Sequence, residues 1–277
     1  MTTRRVSGDT ELSYDHGCPS FDWPNAIQNK LAPHLNPQTV QAFDDTFVSC
    51  PAMPQLVKDL LGSQKITTQF EINRIEGRLE NWHLIAHNNS SPDSEPCRFG
   101  PFDRVIFTAP APQSIKILGN IICNWLPEIQ KISYSPSWSL MFSINGKTPP
   151  VLPDSDDIFE KLILQNLKPA RKSTENIQSW VGQIAAEWSL NHLEHRPDDV
   201  VRLLLPRALE LIHSKGSESI HAVAHRWRYS QVSNSLGRAY LADDEQGLYF
   251  ASDGCLGQGV AGAIQSGLAL GEHLMVI

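Results

Sequence analysis

The chain lacks a long apolar run, a basic excess and paired cysteines, and each absence narrows what it can be. No stretch of its 277 residues nears the roughly 18 apolar positions of a membrane span, and residues 120–125 are too short for one. Lys and Arg number 23 against 30 Asp and Glu, a net charge of −7. That is the opposite of the basic stripe of a nucleic-acid surface. Five cysteines, Cys18, Cys50, Cys97, Cys123 and Cys255, are dispersed without a C-x-x-C pair. This argues against a zinc site or a disulfide framework and for reduced thiols in a cytoplasmic setting. Met1 to Val6 lead into polar sequence rather than the apolar core of a signal peptide. G-x-S-x-G, G-x-x-x-x-G-K-[ST] and H-E-x-x-H are also missing. His221 and His225 share a strand face but have no evident third ligand, so no metal is expected.

What is present is a core. With 41% hydrophobic and 19% charged residues, the chain can fold as one large domain or two intertwined ones. Its most telling stretch closes the sequence: Leu248-Tyr-Phe-Ala-Ser-Asp253-Gly254-Cys-Leu-Gly257, then Gly259, Gly262, Gly267 and Gly271. It reads as a short apolar strand, an Asp-Gly turn, a glycine-rich loop and a helix of small and apolar residues. Gly257, Gly259 and Gly262 spell G-x-G-x-x-G, but a dinucleotide unit also needs a following parallel strand and an acidic residue about 20 positions on. The sequence given ends at Ile277 without them. Two readings stay open. Asp253 and a helix N-terminus can meet a bound cofactor, or a glycine-rich helix packs closely on a sheet with Asp253 as its cap. Cys255, in the same loop, is either a reactive or a packed thiol.

Along the chain, residues 4–15 read as a hairpin turning at Ser7-Gly8-Asp9, followed by a loop carrying His16. Asn25 to Leu31 and Gln55 to Leu61 read as short helices, the second opened by Pro54 and closed by Gly62. Residues 66–72 and 78–85 read as strands around Glu76-Gly77. Phe102 to Ala109 reads as a nearly continuous apolar strand buried on both faces, with a helix to Leu118 after Pro112. Further strands are expected at 138–144 and 179–184, a loop at 148–154, and helices at 186–193 and 198–212, the last bent at Pro206. Residues 219–229 alternate, with His221, Val223, His225, Trp227 and Tyr229 on one face.

Several segments together resemble the renalase-like branch of the flavin-containing amine oxidase superfamily. They are Thr3-Arg-Arg, Asp15-His-Gly-Cys-Pro-Ser-Phe, Phe102-Asp-Arg-Val-Ile-Phe-Thr-Ala-Pro-Ala-Pro-Gln, His225-Arg-Trp-Arg-Tyr-Ser and Ala251-Ser-Asp-Gly…Ser-Gly-Leu-Ala. They follow the family order across nearly all of the chain. The resemblance implies an α/β (α+β) fold, an FAD/NAD(P)-binding Rossmann-like domain with a strand-rich substrate domain. It begins after the family's opening G-x-G-x-x-G unit of roughly 30 or more residues, so the expected domain is N-terminally truncated. Residues 1–30, 50–120 and 240–277 would form the FAD-binding part, and 31–49 with 121–239 the substrate-binding part.

The resemblance also implies roles. Arg5 would contact the cofactor pyrophosphate, and the backbone of Ile72 the adenine. His16 and Gly17 would approach the flavin ring. Asp253 and Gly254 would meet the ribityl or pyrophosphate portion, and Gly259, Val260 and Ala261 the N1–C2=O edge. His225, Trp227 and Tyr229 would face the substrate. Each has a plainer alternative: a solvated arginine, a core strand residue, a structural histidine, a core aromatic stripe. The implied activity is FAD-dependent oxidation of a small molecule, such as a dihydronicotinamide isomer or an amine, by hydride transfer with oxygen as acceptor. A nicotinamide nucleotide would then be a small-molecule partner. The rival is a non-catalytic relative that binds flavin weakly or not at all and serves as a ligand- or partner-binding protein.

Overall fold

The computed structural model describes residues 1–6, 11–91, 93–146, 155–171, 176–257 and 259–276. The turn expected at Ser7-Gly8-Asp9 and the whole of the loop expected at 148–154 lie outside them. The chain opens with an antiparallel hairpin, β1 (Thr3–Val6) and β2 (Leu12–Asp15), in which Thr3 faces Asp15 and Val6 faces Leu12. Helix α1 (Asn25–Leu31) follows Pro24, and a second hairpin, β3 (Val40–Phe43) and β4 (Thr46–Ser49), comes next. Helix α2 (Gln55–Leu61) starts after Pro54 and ends at Gly62, whose φ of +51° suits a residue without Cβ.

Strands β5 (Phe70–Glu76), β6 (Trp82–Asn88) and β7 (Cys97–Phe102) form an antiparallel sheet in that order. The first turn falls at Gly77, φ +119°, as expected, but β5 and β6 both begin about four residues later than the sequence suggests. After β8 (Val105–Phe107) come α3 (Ala111–Leu118) and α4 (Leu126–Ile129). Then follow β9 (Ser133–Asn145), β10 (Phe159–Leu164), β11 (Ile177–Ile184), α5 (Ala186–Asn191), α6 (Pro197–Leu211) and β12 (Ser219–Asn234). Helix α6 has Pro197 in its first turn with Asp198 and Asp199, which complement its dipole, and it carries Pro206 internally. The chain closes with β13 (Leu241–Asp243), β14 (Leu248–Phe250), α7 (Asp253–Leu256) and α8 (Gly259–Leu274).

These elements gather into two compact units, residues 1–62 with 135–231 and residues 63–134 with 232–277. Residues 1–30 thus share a unit with the middle section, a grouping different from the one drawn on the resemblance. The core of the first unit lies on the β10-β11-β9-β12 sheet. Trp138, Leu140, Phe142, Phe159 and Trp180 meet Val200, Leu204 and Ala208 of α6 there, all buried. The β1–β2 hairpin adds Leu12 and Tyr14 against Met141 and Val181. In the second unit, Phe107, Leu118, Trp125, Ile129, Leu248 and Phe250 form the core around a three-stranded sheet of order β13-β14-β8.

The strand expected at 102–109 needs correction. Residues 97–102 belong to β7, and β8 keeps only three residues. It is the edge strand of its sheet, parallel to β14, and Ile106 is 46% exposed while Phe107 is buried. An edge position with one covered face does not require burial of every side chain, so an apolar run alone misleads here.

Gly182 of β11 offers a sharp packing test. A Cβ there would sit 2.7 and 2.9 Å from ring carbons of buried Phe159. Gly182→Ala is expected to lower the unfolding free energy by about 1–3 kcal/mol through overpacking, measured by urea denaturation. Unchanged stability would show that the ring can move aside.

Candidate functional site

In the second unit the closing segment places a carboxylate and a helix start close in sequence. Strand β14 is fully buried, so the chain leaves the sheet at Ala251 with its direction fixed. Ser252 caps the next turn, its Oγ accepting from the Gly254 N–H at 3.1 Å. Asp253 opens α7, and its carboxyl is pushed up by burial, partly offset by the backbone N–H groups of Gly254 and of Asp253 itself. No cation neutralises it among the described residues. It borders a cleft of about 350 Å³ lined by Ile106, Thr108, Ser252, Gly267 and Leu270 among others.

The glycines of the motif do different jobs. A Cβ on Gly254 would lie 2.8 Å from Tyr134 Oη and 2.9 Å from Ile132 Cγ2, so this position is glycine for close packing. Gly257 ends α7 with φ +70°, and its N–H donates to the Asp253 carbonyl at 2.6 Å. Gly259 starts α8 with φ +55° and has open space where a side chain would be. Val260 is half-buried and Ala261 buried. Ile72 is a half-buried residue of β5, paired with Ala86. The arrangement can accept hydrogen bonds from hydroxyl groups at Asp253 and offer unpaired N–H groups at the start of a 16-residue helix.

The first unit brings His16, Gly17, His225 and Trp227 together. The His16 ring meets the His225 ring edge-on at 5.0 Å and lies 5.4 Å from Trp227, and His225 and Trp227 are 4.5 Å apart. The His16 carbonyl accepts from Ser139 Oγ at 2.7 Å and from Trp227 Nε1 at 3.0 Å. A Cβ on Gly17 would meet Thr2 Oγ1 at 2.5 Å and Trp227 at 3.2 Å. Burial holds the His16 imidazole down at about 4, and burial lowers His221 and His225 too, with the nearby Arg4 charge acting the same way. This is a wall of neutral rings. Tyr229 lies two residues beyond Trp227 and is exposed, and Arg5 is an exposed residue of β1.

Sequence reasoning missed a third arrangement. Asp15 at the end of β2 is buried and receives Lys168 Nζ at 3.0 Å and Arg171 Nη2 at 2.7 Å. Burial alone would raise its carboxyl, but Lys168 and Arg171 outweigh that and hold it below the usual range. Lysine and arginine in a loop ordinarily read as solvated charges, and the only available signal was Asp15 itself, within a segment noted for other reasons.

No family model matches the chain. Mouse renalase is 30% identical over 206 residues, which cover 70% of this chain and 57% of renalase. The chain is a renalase homologue. It spans a little over half of that relative's length, and its α+β fold is that of flavin-dependent oxidoreductases. A protein of Exiguobacterium provisionally assigned as a protoporphyrinogen oxidase matches with a TM-score of 0.60 at 16% identity, covering 85% of this chain and 53% of its own. Cyclohexylamine oxidase of Brevibacterium oxydans matches with a TM-score of 0.56 at 12% identity, over 83% and 55%. An oxidoreductase of Methanosarcina mazei gives 0.53 at 14%, over 82% and 55%. Among the described residues of this renalase-like chain, no helix is long and apolar enough to cross a membrane, and no cluster of ligating side chains could hold a metal.

The neutral state of His16 sets a pH dependence. Its folded pKa of about 4 lies below the ordinary 6.5, so the unfolded chain binds more protons between those values. The stability it contributes is complete above pH 6.5 and is lost as pH falls towards 4. His16→Phe is therefore expected to flatten the slope of unfolding free energy against pH in that window. An identical slope in urea titrations would refute the assignment.

Proposed function

We propose that this chain binds FAD and acts as a flavin-dependent oxidoreductase on a small molecule. The observation that carries the reading is the Asp253 turn. It presents a half-buried carboxylate without a cationic partner among the described residues, beside a cleft and just before a helix N-terminus with open ground at Gly259. Those features suit a polyol chain that donates hydroxyl hydrogen bonds and a ring edge that carries negative charge. The relationship to renalase supports the flavin class, and FAD rather than a smaller flavin follows from the family resemblance.

A bound flavin supplies the two-electron acceptor for a hydride. In the proposal Asp253 and Gly254 hold the ribityl portion, and the N–H groups from Gly259 to Ala261 stabilise charge at the ring edge. Arg5 and Ile72 serve the nucleotide portion, and His16 and Gly17 serve the ring. His225, Trp227 and Tyr229 face the substrate, for which we favour a dihydronicotinamide isomer, with an amine as the second class and oxygen as the final acceptor. The imidazoles of His16 and His225 beside Trp227, kept neutral by burial and by the nearby Arg4 charge, give a surface on which a planar ring can stack.

Incubating the purified chain with FAD, removing free cofactor and recording the visible spectrum tests the reading. The wild type is expected to retain protein-bound flavin. Asp253→Ala, which loses a charged hydrogen-bonding group, is expected to bind about tenfold or more weakly, in line with about 1.5–3 kcal/mol for such a bond. A colourless wild-type protein overturns the proposal.

A further inference from the structure

The buried ionic cluster of the first unit carries a positive excess. The side chains of Lys168, Arg171 and Asp15 are 0%, 3% and 1% exposed, so two cations share one carboxylate away from water. Both address the same oxygen, Asp15 Oδ2, while Oδ1 takes the Thr3 hydroxyl at 2.6 Å. The remaining bonds are to neutral atoms: Lys168 Nζ donates to the Pro19 carbonyl, and Arg171 Nη1 to the Pro169 carbonyl and the Cys50 sulfur. A second cation held in a low-dielectric interior favours any anion that can approach it.

There is room for one. A cavity of about 210 Å³ borders Arg171 and is lined also by Thr3, Arg5, Ser13, Ala52 and Glu11. That is several times the roughly 30 Å³ share of a water molecule. The side chains of Arg5 and Ser13 have no hydrogen-bond or ion-pair partner among the described residues, whereas Glu11 is already engaged. Two facing strands fix these groups, since Arg5 of β1 pairs with Ser13 of β2. Within a chain of net charge −7, this wall presents two guanidinium groups and a hydroxyl to one space.

We propose that this cavity binds a small oxyanion, the phosphate or carboxylate group of a small molecule, with Arg5 and Ser13 as donors and Arg171 as the fixed charge behind them. A guanidinium matches the paired oxygens of either group in two parallel hydrogen bonds. Arg171 already spends its Nε and Nη2 on Asp15, so it contributes field more than contacts. Arg5 supplies the contacts. The lowered pKa of Lys168, about 8 and due first to burial, is consistent with an interior where more positive charge is unfavourable and an anion would be welcome.

Arg5 is the side chain also given to the nucleotide portion of the cofactor, so the test is run without added cofactor and repeated with saturating FAD. A response that persists with FAD present belongs to this cavity, and one that FAD abolishes is the cofactor's own phosphate site and overturns the proposal. Thermal unfolding is followed by circular dichroism at constant ionic strength set with sodium chloride, using inorganic phosphate, adenosine monophosphate and acetate as probes. A saturable rise of the midpoint is expected with at least one of them. Arg5→Gln should weaken that response on the order of tenfold, and Ser13→Ala severalfold. Arg74→Gln, which alters an exposed arginine paired with Glu76, should respond as wild type. A stronger effect of adenosine monophosphate than of phosphate assigns the anion to a phosphorylated small molecule, and the reverse order to free phosphate. Acetate acting alone assigns it to a carboxylate. A response no larger than that to chloride, or an equal one in wild type and Arg5→Gln, overturns the proposal.

Discussion

The carboxylate of Asp15 is the junction of the first unit. It ends β2 and receives Lys168 and Arg171 from the connection between β10 and β11. Its own N–H donates to Gln165 Oε1 at 3.0 Å. Lys168 then reaches the Pro19 carbonyl at 2.7 Å, so one ammonium ties the hairpin, the loop after it and residues 165–171 together. A cluster of this kind contributes little net stability when intact, but losing one partner leaves a buried charge exposed to no solvent, at a cost of about 3–5 kcal/mol. The position of His16, and with it the contacts to His225 and Trp227, is inherited from its neighbour Asp15.

Two aspartates in this chain illustrate how environment divides labour between identical groups. Burial works on both in the same direction. At Asp15 two cations overcome it, and the group is a charged structural fixture. At Asp253 only backbone N–H groups oppose it, and the carboxyl stays raised beside a cleft. A perturbed acid without a structural partner is a better candidate for ligand contact than a satisfied one.

What the sequence disclosed follows from the range of the interactions concerned. The closing strand-turn-helix was legible because its determinants are local: an apolar triplet, Ser252 as cap, and glycines at 257 and 259 where φ is positive. The alternation from His221 to Tyr229 was legible for the same reason, a period of two along a single strand. The β3–β4 hairpin was not, because its turn at Asp44-Asp45 lacks glycine and forces Asp44 to φ +49°. Strand β10 also escaped, since its pairing is set by β11 across a long connection. The Asp15–Lys168 pair joins positions 153 residues apart, and no local pattern can announce that.

Cys255 follows Gly254 in the turn that carries Asp253, wholly buried, with burial pushing its thiol up. Cys18 and Cys97, by contrast, are partly exposed. A thiol in that state reacts with an alkylating reagent only when its surroundings open, so its modification rate measures the free energy of a local opening. The chain thus carries its own gauge of the Asp253 turn: the slow alkylation of one native cysteine records how firmly that turn is held, and any ligand that settles there would slow it further.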